Sequence, residues 1–231
     1  MTRGRARPPG RRGPAIRVRA TGGRSASSRH WLQRQLNDPY VAEAQRLGYR
    51  SRAAFKLIEL NQRFRLLRAG QRVVDLGAAP GGWTQVAVAL TKADRGQGRV
   101  VAVDLLDMTP VPGAVLLHAD FLDPATPDAI AAALDGPADL VLSDMAAPTT
   151  GHAQTDHLRI VALCEAALEF AERVLAPGGG FVAKLFQGGA EAELRRTLQR
   201  RFERVRHAKP PASRAESAET YVVATGLRPA P

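Results

Sequence analysis

The sequence predicts an α/β protein with a mostly parallel, seven-stranded sheet that ends in an antiparallel hairpin. Three observations predict it. From residue 72 onward, short β-branched runs alternate with helical stretches, the pattern of a parallel sheet with helices on both faces. A glycine-rich loop, GAAPGG, follows the first strand directly, at the end of the sheet where ligands bind. The last two strands are separated by only about a dozen residues without a helix, too few for a parallel crossover, so that pair is antiparallel.

Ahead of the sheet, Trp31–Leu47 and Ser51–Leu67 read as helices. Pro39 interrupts the first, Ser51 is a candidate N-cap of the second, and Phe55, Ile58 and Phe64 form part of an apolar stripe. Strand Arg72–Leu76 leads through the glycine loop to a helix at Trp83–Leu90. Strands follow at Arg99–Asp104 and Ala114–His118, then a helix at Pro127–Leu134 and a strand at Asp139–Ser143. A long helix from Asp156 to Leu175 ends near Pro177–Gly180. The run FVAKLF, Phe181–Phe186, is apolar on both sides of its lysine and reads as a central strand. A helix at Glu191–Arg201 precedes the final strands, Glu203–Ala208 and Thr220–Thr225. No internal repeat is visible.

The 231 residues suit one domain with a substantial core. No apolar run is long enough to cross a bilayer, so a soluble, cytoplasmic protein without a membrane partner is expected. The single cysteine, Cys164, excludes an internal disulfide and reads as a small core residue rather than a reactive thiol. The net charge of +11 is unevenly placed: residues 1–37 carry ten arginines and no acid, and the remainder holds 23 bases against 22 acids. Residues 1–30 read as a disordered basic tail, too rich in Gly, Pro and Ser to bury apolar surface. Residues 31–228 read as the folded domain. An Arg-rich arm tracks phosphates with salt-sensitive affinity. A solubilising segment and an organellar transit peptide are the other readings, although Pro8, Pro9 and Pro14 would break the helix a transit peptide needs.

Ligands of open α/β sheets lie beyond the carboxyl ends of the strands. The first strand ends in Asp75-Leu76 and runs into Gly77–Trp83, where glycines permit positive φ and close backbone approach. The second ends at Asp104, placed to accept from ribose hydroxyls. Asp120 follows the third, placed to accept from an adenine amino group, and Asp144 follows the fourth. Any one of these acids reads equally as a turn or helix cap. The loop alone indicates only a nucleotide-like ligand, and it is not GxGxxG, which argues against a dinucleotide. Three carboxylates after successive strands suit a cationic sulfonium ligand and not a pyrophosphate. No His/Cys metal spacing occurs, so no metal is expected.

Only four of the basic residues are lysines: Lys56, Lys92, Lys184 and Lys209. A chain that uses arginine for generic charge keeps lysine where a proton has to be lost, which arginine cannot do. Taken singly, Lys184 also reads as an exposed strand residue and Lys56 as a solvated helix residue. Lys92 and Lys209 read as surface charge.

The segments DLGAAPGGW, VDLL, SDMA, LAPGGGFVAKLFQG and SRAESAETYVVATG, with SRAAFKLIEL ahead of the sheet, resemble the FtsJ/RrmJ family of ribose 2′-O-methyltransferases. The resemblance runs from Trp31 to Gly226. It implies a Rossmann-like class I methyltransferase fold with S-adenosylmethionine as methyl donor. Donor contacts would come from Gly77, Pro80, Gly81, Gly82, Trp83, Asp104, Asp120 and Asp144. It also implies a Lys-Asp-Lys-Glu tetrad at Lys56, Asp144, Lys184 and Glu219. The implied acceptor is a uridine in the A-loop of 23S ribosomal RNA, within the large (50S) subunit late in assembly, with the enzyme acting as a monomer.

The chemistry explains those residue types. A ribose hydroxyl is a poor nucleophile, so oxygen, carbon and sulfur must be aligned and a proton removed as the bond forms. In this scheme Lys184 is the base or orients the hydroxyl, and Lys56 offers positive charge to the developing alkoxide. Asp144 holds Lys184 beside the donor, and Glu219 completes the network with a smaller effect. One departure stands out. The family commonly follows this Asp with Met-Ala-Pro-Asn, whereas here Met145-Ala146-Ala147-Pro148-Thr149 adds a residue and lacks the Asn. Arg46, Arg50, Arg52, Arg63, Arg65 and Arg68 are expected to form a basic RNA-binding face beside Lys56. Two other functions fit parts of the sequence: a non-catalytic RNA-binding ribosome-assembly factor, opposed by the intact tetrad, and a transfer-RNA or mRNA-cap methyltransferase, opposed by the compact chain.

Overall fold

The computed structural model describes residues 32–186 and 192–229; the expected basic tail, residues 1–30, lies outside them. Helical residues 32–36 are followed by α1 (Pro39–Leu47) and α2 (Ala53–Phe64). Then come β1 (Arg72–Leu76), α3 (Gly82–Thr91), β2 (Arg99–Asp104), β3 (Ala114–His118), α4 (Thr126–Leu134) and β4 (Ala138–Ser143). The chain continues through α5 (Ala153–Val174), β5 (Leu175–Phe186), α6 (Ala192–Arg201), β6 (Phe202–Ala208) and β7 (Glu219–Leu227).

The strands form one seven-stranded sheet in the order β3-β2-β1-β4-β5-β7-β6. Pairings among β1 to β5 are parallel, and β7 is antiparallel to both β5 and β6. The expected α/β class and closing hairpin are therefore present. The hairpin folds so that β7 lies between β5 and β6.

Successive strand residues point to opposite faces. Val74, Val101, Val141, Phe181 and Val222 pack with α4, α5 and α6. Val73, Val100, Leu142, Val182 and Val223 pack with α2 and α3. Two residues along β1, β4, β5 and β7, that second set continues into Asp75, Asp144, Lys184 and Tyr221. The core on the α2–α3 face thus gives way to polar groups at the carboxyl ends of the strands.

Local differences from the sequence reading have physical causes. Pro39 interrupts the helical stretch as expected: helical residues 32–36 end before it, and it opens α1, which Asp38 caps by accepting from Tyr40 N (3.0 Å), as Pro is well suited to a first helical turn. Ser51 does not cap α2. Arg52 occupies the cap position without a side-chain bond, and Ser51 Oγ is turned instead against Gly82, where a Cβ would lie 2.4 Å from it. The core-facing stripe of α2 is Ala54, Leu57 and Leu60, with the expected Ile58 and Phe64 partly buried against it; Phe55 packs instead with Tyr40, Tyr49 and Ala212. The long helix α5 ends at Val174, one residue before the expected end, and Pro177–Gly180 lies within β5 as a register irregularity between the pairs Ala138↔Leu175 and Leu140↔Gly180. Cys164 is buried, and burial raises its thiol pKa, as suits a core residue. Among the described residues no helix is long and apolar enough to cross a membrane.

Candidate active site

All four tetrad residues meet at the carboxyl ends of β4 and β5 on the α2–α3 face. Lys184 Nζ donates to Asp144 Oδ1 at 3.0 Å and to the Asp144 backbone carbonyl at 2.6 Å. Lys56 reaches in from the first turns of α2 and donates to Glu219 Oε2 at 2.7 Å. Glu219 is held from its other oxygen by Ser213 Oγ at 2.7 Å. The two halves are joined by a residue that the sequence reading missed. Tyr221 Oη donates to Asp144 Oδ1 at 2.8 Å and accepts from Lys56 Nζ at 3.2 Å. The signal was available: Tyr221 is two residues beyond Glu219 and therefore on the same face of β7. It also stands opposite Lys184 in the β5–β7 register.

The cluster is nearly dry, with side-chain exposures of 9% for Lys184 and 16% for Asp144. Burial of these charges is tolerable because two ammonium groups face two carboxylates, with hydrogen bonds on both carboxylates. Burial pushes the Asp144 carboxyl up, but Lys184, Lys56 and the Tyr221 hydroxyl outweigh it and hold its pKa below the ordinary value. Burial, with Asp144 and Glu219 nearby, raises the Tyr221 phenol well above its ordinary range, so it stays a donor.

The glycine loop abuts this cluster. Asp144 N donates to Leu76 O at 3.1 Å. Gly77 has φ 75°, and a Cβ there would lie 2.8 Å from Met145 Cα, so only glycine lets the loops after β1 and β4 pack this closely. Gly77 N and Ala78 N both donate to Val103 O, the Ala79–Pro80 bond is cis, and Gly81 has φ 107°. Asp104 ties this loop to the one after β2, accepting from Ala79 N at 2.8 Å and Leu106 N at 2.8 Å. Beside it opens a cleft of about 610 Å³ lined by Asp104, Leu106, Met108, Thr109, Pro110 and His118 among others. Asp120 is exposed and caps its own turn by accepting from Leu122 N at 2.9 Å.

The residues present fit a cationic adenosine ligand. Glycine backbone at positive φ and acids at successive strand ends surround the loop. The nearest arginine, Arg50, has its guanidinium engaged by backbone carbonyls and is not presented to a pyrophosphate. Asp75 adds a further acid. It is fully buried, Thr84 Oγ1 donates to its Oδ2 at 2.7 Å, and its Oδ1 has no partner. Burial pushes its pKa up to about 7, with Asp144 and Asp104 adding to the rise.

Several expected roles change. Trp83 is 2% exposed, donates from Nε1 to Ala53 O at 2.8 Å and packs on Tyr221, so its side chain belongs to the core and not to a ligand surface. The basic face beside Lys56 is not assembled as expected. α2 runs away from the site over 12 residues, a rise of about 18 Å. Its far end therefore carries Arg63, Arg65 and Arg68 toward the amino ends of the strands, where Arg68 meets Asp139 at 3.5 Å. Arg52 pairs with Asp38 at 2.9 Å and Arg46 with Glu43 at 2.7 Å. Lys209 is more than surface charge: its Nζ donates to Ala215 O and Ser217 O and closes the loop that leads to Glu219. The altered loop after Asp144 is tied to α5, through Thr150 on Asp156 and Arg159 on Pro148 O. Among the described residues no group of His, Cys, Asp or Glu is arranged to hold a metal ion.

The comparisons with known proteins identify the family. The profile of the FtsJ-like methyltransferase family matches residues 49–227. The ribosomal RNA large subunit methyltransferase E of Paramagnetospirillum magneticum is 62% identical over 221 residues, which cover 95% of this chain and 91% of that one. The protein of the same name from Granulibacter bethesdensis is 57% identical over 230 residues, covering 99% and 98%. A crystal structure described as a ribosomal RNA methyltransferase from Plasmodium falciparum superposes with a TM-score of 0.68 at 27% identity, covering 78% of this chain and 98% of that one. The chain belongs to the FtsJ-like methyltransferase family.

Proposed function

We propose that this methyltransferase moves the methyl group of S-adenosylmethionine to the ribose 2′-hydroxyl of a uridine in the A-loop of 23S ribosomal RNA, within the cytoplasmic large subunit. Relatives named for large-subunit ribosomal RNA methylation, aligned over almost the whole chain, support the acceptor class. The observation that carries the chemistry is the pair of bonds from Lys184 Nζ to Asp144. These two bonds hold the Lys184 head group beside the glycine loop; in the unprotonated form that the reaction requires, its lone pair accepts the hydroxyl proton.

When bound, S-adenosylmethionine supplies a methyl group already activated on a sulfonium. The chain supplies the rest. Gly77, Pro80, Gly81, Gly82, Asp104 and Asp120 hold the donor, Gly81 and Gly82 through the backbone at the start of α3. Asp144 stands between the loop and the lysines. Lys184 takes the hydroxyl proton as the O–C bond forms and the C–S bond breaks. Lys56, steadied by Glu219, lends positive charge to the oxygen before its new bond is complete. The nearly dry cluster makes these charges act more strongly than they would in water.

The test is methyl transfer from labelled donor to large subunits purified from a strain lacking the enzyme, followed by mapping of the modified nucleotide. A single 2′-O-methyluridine in the A-loop is the expected product. Label on a base, on transfer RNA or on no RNA at all would overturn the reading.

A further inference from the structure

Arg50 lies in the short connection between α1 and α2, and its head group sits between two loops at the mouth of the donor cleft. Nη1 donates to Pro80 O at 3.2 Å and to Thr109 O at 2.5 Å, and Nη2 donates to Pro110 O at 2.7 Å. Pro80 belongs to the glycine loop; Thr109 and Pro110 belong to the loop after β2. Asp104 joins the same two loops from the inner side through one amide of each. One acid therefore gathers two amides, and one arginine gathers carbonyls from both partners of that pair.

The backbone of Arg50 is itself fixed. Arg50 N donates to Gln85 Oε1 at 2.9 Å, and Gln85 Nε2 donates to Gly48 O at 3.0 Å, which anchors the residue to α3. Gly81 makes room for the head group, since a Cβ there would lie 2.9 Å from Arg50 Nη1. The loop after β2 needs such a tie. Leu105 and Leu106 are 62% and 68% exposed, so it has little apolar core of its own. It is held at its root by His118 on Leu105 O and at its far end by buried Val111. Between those points its links to the glycine loop run through Asp104 and Arg50.

We propose that Arg50 is a positioning residue for the methyl donor: it clamps loop 105–112 to the glycine loop and so sets the shape of the cleft. The fork of the guanidinium suits this task, because it reaches carbonyls on both loops at once and a compact ammonium does not. The proposal removes Arg50 from the RNA-binding face and rests on the reading of this cleft as the donor site.

The test measures binding of S-adenosylhomocysteine to the full chain by calorimetry, with hydrogen exchange of residues 105–112 and RNA affinity at two salt concentrations. Arg50→Ala is expected to weaken binding by about tenfold or more, because three backbone hydrogen bonds are lost. Arg50→Lys, which keeps the charge, is expected to fall between the two. Exchange should quicken in 105–112 alone, KM for the donor should rise with kcat little changed, and RNA affinity and its salt slope should stay as they were. The proposal is overturned if donor affinity changes by less than about twofold. It is equally overturned if exchange quickens throughout the chain, or if RNA affinity drops with a shallower salt slope while donor binding holds. No binding by the unaltered protein would remove the donor reading itself, a result distinct from equal binding by protein and variant.

Discussion

The glycine loop and the buried charge cluster lie side by side at one end of the sheet, yet they are held together by different forces. The loop is built from backbone groups: Val103 O takes two amides, Asp104 takes two more, and Arg50 takes three carbonyls. The cluster is built from charged side chains that close on one another, with sequence separations of 163 for Lys56 to Glu219 and 40 for Lys184 to Asp144. The difference teaches where each region is vulnerable. A backbone-built loop fails when its conformation is forced. A buried charge cluster fails when one partner is removed and the other is left uncompensated.

The sharpest break of this comparison is Lys184→Ala. Loss of the base and of the partner of Asp144 should lower kcat by about 10³-fold or more, the scale of a general base together with an electrostatic anchor. Binding of S-adenosylhomocysteine, which is assigned to the other region in the proposal, should stay within about threefold. Turnover close to that of the unaltered enzyme would sink the assignment of Lys184 as base.

Gly81→Ala attacks the loop instead. The residue has φ 107° and no space for a Cβ beside Arg50, so the substitution should cost about 2 kcal/mol of stability in urea unfolding. It should weaken donor binding, the reverse of the Lys184→Ala pattern. An unchanged unfolding midpoint would show that the strain is relieved by a rearranged loop.

The two regions also differ in the sign of their pH dependence. The carboxyl of Asp75 has a folded pKa of about 7 against an ordinary 3.8, chiefly through burial. Between those values the folded chain holds a proton that the unfolded chain has lost, so stability falls as pH rises from about 4 to about 7. Asp144 acts oppositely. Its lowered pKa contributes stability above the ordinary carboxylate value, and that contribution is lost as pH falls through the depressed one. Asp75→Asn should raise stability by up to about 4 kcal/mol at pH 8 and change little at pH 4. Urea melts of donor-free protein at both pH values check it, and equal effects at both would refute the burial account.

The smallest expected effect is that of Tyr221→Phe. Asp144 keeps Lys184 and Lys56 keeps Glu219, so only the bridging hydroxyl is lost, and kcat should fall by about fivefold, near 1 kcal/mol. A loss as large as that of Lys184→Ala would place Tyr221 among the groups that touch the reacting atoms.

Much of this was legible in the chain. The β-branched runs and the missing crossover before the last strand announced the sheet and its hairpin, because the period of two and the length of a crossover are local properties. The acids after β2, β3 and β4 could be found for the same reason. Tyr221 is not legible as a site residue in the sequence, because a phenol in a strand reads as core, which it also is. Arg50 and Arg52 were misread as a binding face because sequence shows a charge but not its acceptor. The arginines at the end of α2 were misplaced because helix direction relative to the sheet is a tertiary fact.

The sequence by itself determined the strand–helix alternation, the glycine loop with its neighbouring acids and, through resemblance, the four members of the tetrad. These rest on hydrophobic periodicity, on the conformational demands of glycine and on motif. Only the tertiary structure decided which groups meet. It set Tyr221 between Asp144 and Lys56, gave Arg50 to three carbonyls, and left Asp75 buried with one unpartnered oxygen. The physical reason is that hydrogen bonds and desolvation depend on distances of a few ångströms between segments far apart in the chain, which packing of the sheet against α2 and α3 alone establishes.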